Sequence, residues 1–204
     1  MGGDGQALTN SRKLLSQAKQ FVDRGELEAD DHSKEKNSEK TRIIERWSNC
    51  ALSLTPLEPP LAFDIGGNVF TKAHVIDYLI ARKKGTTLYS EGGHFDIKKM
   101  SDICEIKNET SASGEIRCPI KNYSTTSGLH HFLGFWGCGH VVSVGCFPAN
   151  AVEISEGKSF DCPVCGEASF PVALVLPEEK ERAQRKKLGP LLKGSKKRKR
   201  EEDH

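Results

Sequence analysis

Cys138-Gly139-His140, followed after 21 residues by Cys162-Pro163-Val164-Cys165-Gly166, decides how this chain is read. Three thiols and an imidazole at these spacings form a ligand set for one tetrahedral zinc ion, because thiolate and neutral imidazole are the donors of closed structural zinc sites. Two residues between Cys162 and Cys165 let a tight turn aim both sulfurs at one metal. Pro163 pre-sets that turn, and Gly166 can take the positive φ needed just past it. Cys138-x-His140 is a second, shorter clip. Buried apolar cysteines, a disulfide or a redox Cys-x-x-Cys are the alternative readings of the same residues. Four protein ligands leave no open coordination position, which points to a structural metal rather than a catalytic one.

The histidine does not come last, so the pattern is unlike a helical C2H2 finger. It fits the second site of a RING-type cross-brace. The two ligands of a first site that remain are Cys118 and Cys146, and their partners would be Lys121 and Ser143. An ammonium cannot ligate zinc and a serine is a poor ligand. The first site is therefore expected to be degenerate, with Cys118 and Cys146 in the core. One zinc beside a degenerate site resembles the SP-RING type of SUMO ligase.

An earlier stretch repeats the plan without the metal. Cys50-Ala51-Leu52-Ser53 matches Cys118-Pro119-Ile120-Lys121, and Phe63 to Phe70 matches Phe135 to Val142. Asp64, Gly66, Gly67 and Asn68 stand where the second copy has its ligand hairpin. Hydrogen bonds must then hold these loops, as in U-box domains. Gly66-Gly67-Asn68 marks a hairpin turn. Thr71 can cap a helix running to Lys84, with Val75, Ile76, Leu79 and Ile80 on one stripe and Gly85 closing it.

The expected class is α+β: two small RING- or U-box-like modules, each with short hairpins and a helix, the second zinc-bound. The boundaries are an N-terminal segment and polar linker over 1–46, a metal-free module over 47–85, a connector over 86–115, the zinc module over 116–176 and a basic tail over 177–204. Short helices are expected over 14–22 and 148–154, and short strands at His94–Ile97, Ile103–Ile106 and Phe170–Leu176. The linker and tail are charged and expected to be disordered, the tail starting as a charged helix. At 204 residues, with 36% hydrophobic and 28% charged residues, small cores joined by solvated segments are the economical arrangement. Nothing in the sequence resembles a membrane span or a signal peptide, and the cysteine usage fits a reducing compartment. The sequons at Asn108 and Asn122 are then chance matches.

The formal net charge is only +2, but Lys180 to Arg200 holds eleven Lys or Arg and a single acid, Glu181. Lys196, Lys197, Arg198, Lys199 and Arg200, with Arg185-Lys186-Lys187 upstream, read as a bipartite nuclear import signal. Non-specific, salt-sensitive contact with nucleic-acid phosphates would accompany it. No base-reading helix is apparent, and no acid–base or nucleophile constellation stands out.

Taken in order, several stretches resemble the replication termination factor 2 family. They are Met1-Gly2-Gly3-Asp4-Gly5, Trp47-x-x-Cys50-x-Leu52-Ser53 with Pro56-Leu57 and Pro60, Gly67-Asn68-Val69-Phe70-x-Lys72, His94-Phe95-Asp96-Ile97-Lys98, Cys118-Pro119-Ile120, Cys138-Gly139-His140 and Cys162-x-x-Cys165-Gly166. The resemblance implies a nuclear protein at stalled or terminating replication forks, with replication-fork proteins or chromatin as partners. It also implies a link to pre-mRNA splicing. A zinc-stabilised, non-catalytic adaptor is the expected role. The alternative is a SUMO or ubiquitin ligase of SP-RING or RING type, which would dock a conjugating enzyme at Ile120, Phe147 and Pro163. Gly166 and Glu167 follow the last ligand where RING ligases commonly carry a cation, which weakens the ubiquitin version.

Overall fold

A computed structural model describes residues 38–86, 88, 89, 95, 97–147 and 159–201. The helices expected over 14–22 and 148–154 lie outside them, as do His94 and Asp96 of the expected first connector strand. Contacts divide the chain into Met1–Thr41 and Arg42–His204. In the first unit, residues 38–41 are described and are helical, the start of helix α1 (38–48).

The second unit is mixed helix and antiparallel sheet. Strands β1 (Leu61–Asp64) and β2 (Val69–Thr71) form the expected hairpin, and helix α2 (Lys72–Lys84) follows directly. The third strand of this sheet, β3 (Ile103–Glu105), comes from the segment read as a connector and pairs with the free edge of β1. The order is β2-β1-β3. The second sheet is built alike. Strands β4 (Phe132–Phe135) and β5 (Val141–Ser143) form a hairpin, and β8 (Pro171–Ala173) pairs with the other edge of β4, giving β5-β4-β8. Between them β6 (Phe160–Asp161) and β7 (Ala168–Ser169) make a separate two-stranded ribbon. Helix α3 (Glu178–Glu201) ends the described chain. Every residue of β1, β2, β4 and β5 is buried, which explains their continuous apolar runs in place of alternation.

The repeat extends to single hydrogen bonds. The Leu54 N–H donates to the Cys50 carbonyl and the Cys50 N–H to Thr55; in the second copy Asn122 and Tyr123 play those parts for Cys118. Leu54 and Asn122 both take positive φ, 58° and 54°. The hairpin tips correspond too. Gly67 donates to Asp64 and Asp64 to Asn68; Gly139 donates to Phe135 and Phe135 to His140. The counterpart of Asp64 is thus Phe135, not Trp136, and that of Phe63 is Gly134. The second tip is one residue longer, so the sequence match holds from Gly66/Cys138 onward and is out by one before it.

The two sheets share one hydrophobic core. Trp47 packs edge-on against Phe132 at 5.4 Å, and Phe63 against Trp136 at 5.8 Å. Phe63 lies so close to β4 that a Cβ on Gly134 would stand 2.7 Å from its ring. The copies also exchange backbone hydrogen bonds reciprocally. The Val175 N–H, just past β8, donates to the Gly67 carbonyl at 2.8 Å, and the Lys107 N–H, just past β3, donates to the Gly139 carbonyl at 3.0 Å.

Two local expectations change. Thr71 holds the N-cap position of α2, but its hydroxyl accepts from the Glu58 N–H at 3.1 Å instead of capping the helix. On α2, Val75 is buried and Tyr78 and Leu79 are half-buried. Ile76 and Ile80 are 40% and 46% exposed, so the buried stripe is narrower than the apolar spacing implied. Gly85 closes the helix as expected, at φ 71°.

A Cβ on Gly67 would stand 2.1 Å from the Ala173 carbonyl oxygen, and one on Gly139 the same 2.1 Å from that of Glu105. Both glycines have positive φ. Gly67→Ala and Gly139→Ala should each cost about 2–4 kcal/mol, combining backbone strain with a forced separation of the copies. Gly85→Ala has nothing within 4 Å and should cost only about 1 kcal/mol. Urea unfolding of the three variants checks the ranking.

Candidate metal centre

The β4–β5 tip presents Cys138 and His140 on either side of Gly139, whose φ of 78° few other residues adopt. The β6–β7 ribbon presents the other pair. Its two strands bracket Cys162 to Glu167, the Cys162 N–H donates to the Glu167 carbonyl at 2.9 Å, and the Gly166 N–H, at φ 72°, returns to the Cys162 carbonyl at 2.7 Å. That is the tight turn the Cys-Pro-x-Cys-Gly spelling requires.

The structure brings all four predicted ligands together. The three Sγ atoms and one imidazole nitrogen lie within 4.8 Å of one another, and Cys162 Sγ is 3.7 Å from His140 Nδ1. Thiolates about 2.3 Å from a tetrahedral zinc stand roughly 3.8 Å apart, so the cluster is near the required size. Cys138 and Cys162 are buried, His140 is half-buried and Cys165 is exposed. Burial, then the neighbouring Cys162 and Cys165 thiols, push the Cys138 thiol up to about 12. The Glu167 N–H holds Cys165 below the ordinary thiol range. Three thiols packed this tightly, two of them buried, need a soft divalent cation to ionise together. The donor set therefore fits zinc, and these four residues would hold it. Among the described residues this is the one such cluster.

The four degenerate first-site positions also converge. Cys118 Sγ lies 3.5 Å from Cys146 Sγ and accepts from the Ser143 N–H at 3.3 Å and the Lys121 N–H at 3.5 Å. Cys118 is buried and Cys146 half-buried. In the first copy the corresponding residues are Cys50, Ser53, Thr71 and His74, where the Ser53 hydroxyl meets His74 Nδ1 at 2.9 Å. Each copy therefore keeps the framework of a first site with half its ligands replaced. Of the three docking candidates, Ile120 and Pro163 are exposed, while Phe147 is half-buried against Phe135. Lys196 to Arg200 fall within the bounds of α3, and their side chains lie outside the described residues.

In the first copy, charge occupies the place that metal ligands hold in the second. Asn68, the counterpart of His140, donates to Glu181 at 2.6 Å and accepts from Arg46 at 2.8 Å. Arg185 reaches Asp64 at 2.5 Å and Glu181 at 2.9 Å, and Asp64 Oδ1 receives the Asn68 N–H at 2.8 Å. Arg46 also donates to the Leu176 carbonyl and to Glu181. Burial raises the Asp64 carboxyl above its ordinary range, and Arg185 opposes that shift. Gly66, the counterpart of Cys138, leaves room for the guanidinium, which a Cβ there would meet at 2.5 Å.

Arg46, Glu181 and Gln184 carry no sequence signal of a site, because charge in a polar linker and a basic tail looks solvated, and Arg185, expected in the upstream half of the import signal, is instead held on Asp64 and Glu181. Gln184 is buried, bridging the Ile65 carbonyl at 3.1 Å and Ala173. Leu188 is also buried, so α3 starts as a docked helix. Asn108, in sequence a chance sequon, has a structural place. Its side chain pairs with both the N–H and the carbonyl of Val141 at 2.7 Å, fixing the strand beside His140. The spacing Glu181-x-x-Gln184-Arg185, with Leu188 beyond, was the one signal that could have marked a docked face.

Comparison with known proteins agrees with this architecture. The model of a family described as "Rtf2 RING-finger" matches residues 1–204. A curated protein named splicing factor rtf2, from Schizosaccharomyces pombe, is 26% identical over 164 residues, covering 79% of this chain and 60% of its own. The chain thus spans about three-fifths of that relative's length.

The Asp64 side chain is 2% exposed and that of Arg185 19%. Arg185→Ala should therefore cost about 3–5 kcal/mol by stranding a buried carboxylate. Asp64→Asn combined with Arg185→Met should recover much of that loss, since the buried carboxylate is gone and Glu181 keeps Arg46. A double-mutant cycle in urea checks both expectations, and an additive result would show that the pair is not coupled.

Proposed function

We propose that this chain, which belongs to the Rtf2 RING-finger family, is a nuclear adaptor stapled by one structural zinc and acting in pre-mRNA splicing. Four protein donors at Cys138, His140, Cys162 and Cys165, with none left over for a reacting water, carry the structural reading of the metal. The ion would supply folding free energy and tie the β6–β7 ribbon to the β4–β5 tip. The process rests on the printed name of the S. pombe relative. Service at replication forks, which the sequence resemblance implies, is the second reading, with fork proteins or chromatin as partners. A conjugating enzyme docked at Ile120 and Pro163 would make the protein a SUMO or ubiquitin ligase instead. Exposure of both residues is what favours that version. The basic stretch of α3 is assigned to nuclear import and to phosphate contact.

Purified full-length protein should carry one zinc per chain. Cys138→Ser and Cys162→Ser should lose it and the cooperative thermal transition with it, because structural zinc contributes roughly 10–16 kcal/mol in finger peptides. Cys118→Ser should retain the metal. Zinc should also dissociate as pH falls, since the thiols must bind it deprotonated. A normal melt for Cys162→Ser would overturn the site.

Depletion of the protein in its native cells should raise intron retention, measured by RNA sequencing, and wild type but not Cys162→Ser should restore it. Unchanged splicing with altered fork progression on DNA fibres would replace the splicing reading with the replication one.

A further inference from the structure

The vestigial first site of the second copy has kept two thiols side by side. Cys118 Sγ stands 3.5 Å from Cys146 Sγ, and among the described residues this pair is separate from the four-ligand cluster. Two backbone N–H groups, from Ser143 and Lys121, point at Cys118 Sγ. Such donors stabilise a thiolate in the way an anion nest does. Cys118 also lines a groove of about 640 Å³, with Arg117, Pro119, Asn122, Lys107 and His140 around it, the side from which a small polar molecule would approach a residue that is itself only 1% exposed. Cys146 closes the short turn Val144–Cys146 and is half-buried.

We propose that Cys118 and Cys146 form a peroxide-sensitive dithiol that closes to a disulfide. The Cys118 thiolate attacks one peroxide oxygen. The O–O bond breaks, hydroxide leaves and takes a proton to become water, and Cys118 becomes a sulfenic acid. The Cys146 sulfur then attacks the Cys118 sulfur. The S–O bond breaks, and the hydroxyl leaves with the Cys146 proton as a second water. Two thiols are oxidised and one peroxide is reduced to two waters. The sulfurs must approach by about 1.5 Å to reach bonding distance, a movement within reach of a side chain on a surface turn.

The electrostatics divide the labour. Burial raises the Cys118 thiol, but the N–H groups of Ser143, Lys121 and Ile120 outweigh it, and the net displacement is downward. Burial and the adjacent Cys118 push Cys146 up to about 11, so of the two thiols Cys118 is the one that meets the peroxide first. Cys104 is pushed up to about 11 by burial, and its thiol donates to the Trp136 carbonyl at 2.9 Å. The product would tie the Cys118–Asn122 turn to the Val144–Cys146 turn, joining covalently the two loops that a first-site metal joins in a full cross-brace.

Limiting hydrogen peroxide added to reduced, zinc-loaded, full-length protein tests this, with tryptic mapping of the linked peptides and zinc release followed together. The Cys118–Cys146 link should form roughly tenfold faster than zinc is released or any other cysteine is oxidised, and the melting temperature should rise. Cys146→Ser should instead accumulate a dimedone-reactive sulfenic acid on Cys118, and Cys118→Ser should give neither product. Zinc release or oxidation elsewhere ahead of the link, or no link at all, overturns the proposal. The wild-type mapping decides by itself if a variant fails to fold.

Discussion

Each copy's hairpin tip is closed by backbone from the other copy. Val175 reaches the Gly67 carbonyl and Lys107 reaches that of Gly139, and each glycine lies where a side chain would collide with the opposite carbonyl. This reciprocity is the constraint on which the rest depends. It explains why the third strand of each sheet is followed at once by a crossing segment. It also explains why the core runs without a break from Trp47 through Phe132. A buried backbone group without a partner is costly, so two tips that satisfy one another favour a single folded unit over two separate ones.

With that frame fixed, the same place in the fold is filled by two chemistries. In the second copy the tip carries Cys138 and His140 and is completed by a ribbon carrying Cys162 and Cys165. In the first it carries Gly66 and Asn68 and is completed by Arg185 and Glu181 from α3 and Arg46 from α1. A metal joins loops through short, directional bonds and needs few residues. A charged network must bring both signs from distant elements and bury them together, which is why it recruits both flanking helices. The helices that bound the unit are therefore part of the first copy's site.

Loss of half of each first site has a different consequence in each copy. In the first copy, where Ser53 stands in place of a ligand and His74 remains, a hydrogen bond between them joins the loops. Where Cys118 and Cys146 remain, two sulfurs lie in van der Waals contact beside N–H donors. The relic is thus a hydrogen bond in one copy and a thiol pair in the other.

The α+β class, the family, the four convergent Cys and His side chains and the first hairpin with its helix are all legible in the order of residues. These are local properties: ligand spacing, glycine positions and apolar runs each act within a few residues of chain. The sequence also exposed the repeat, with a one-residue error before Gly66, since an insertion inside a tip changes no pattern of polarity. Only the tertiary structure decided that the copies share a core, that Ile103–Glu105 completes the first sheet, and that Arg46, Asn108, Gln184 and Arg185 are structural. Those residues are polar, and a polar side chain shows no periodicity that separates a solvated face from a buried partner. What distinguishes Arg185 is Asp64, 121 positions away, and that pairing exists only once the chain has folded.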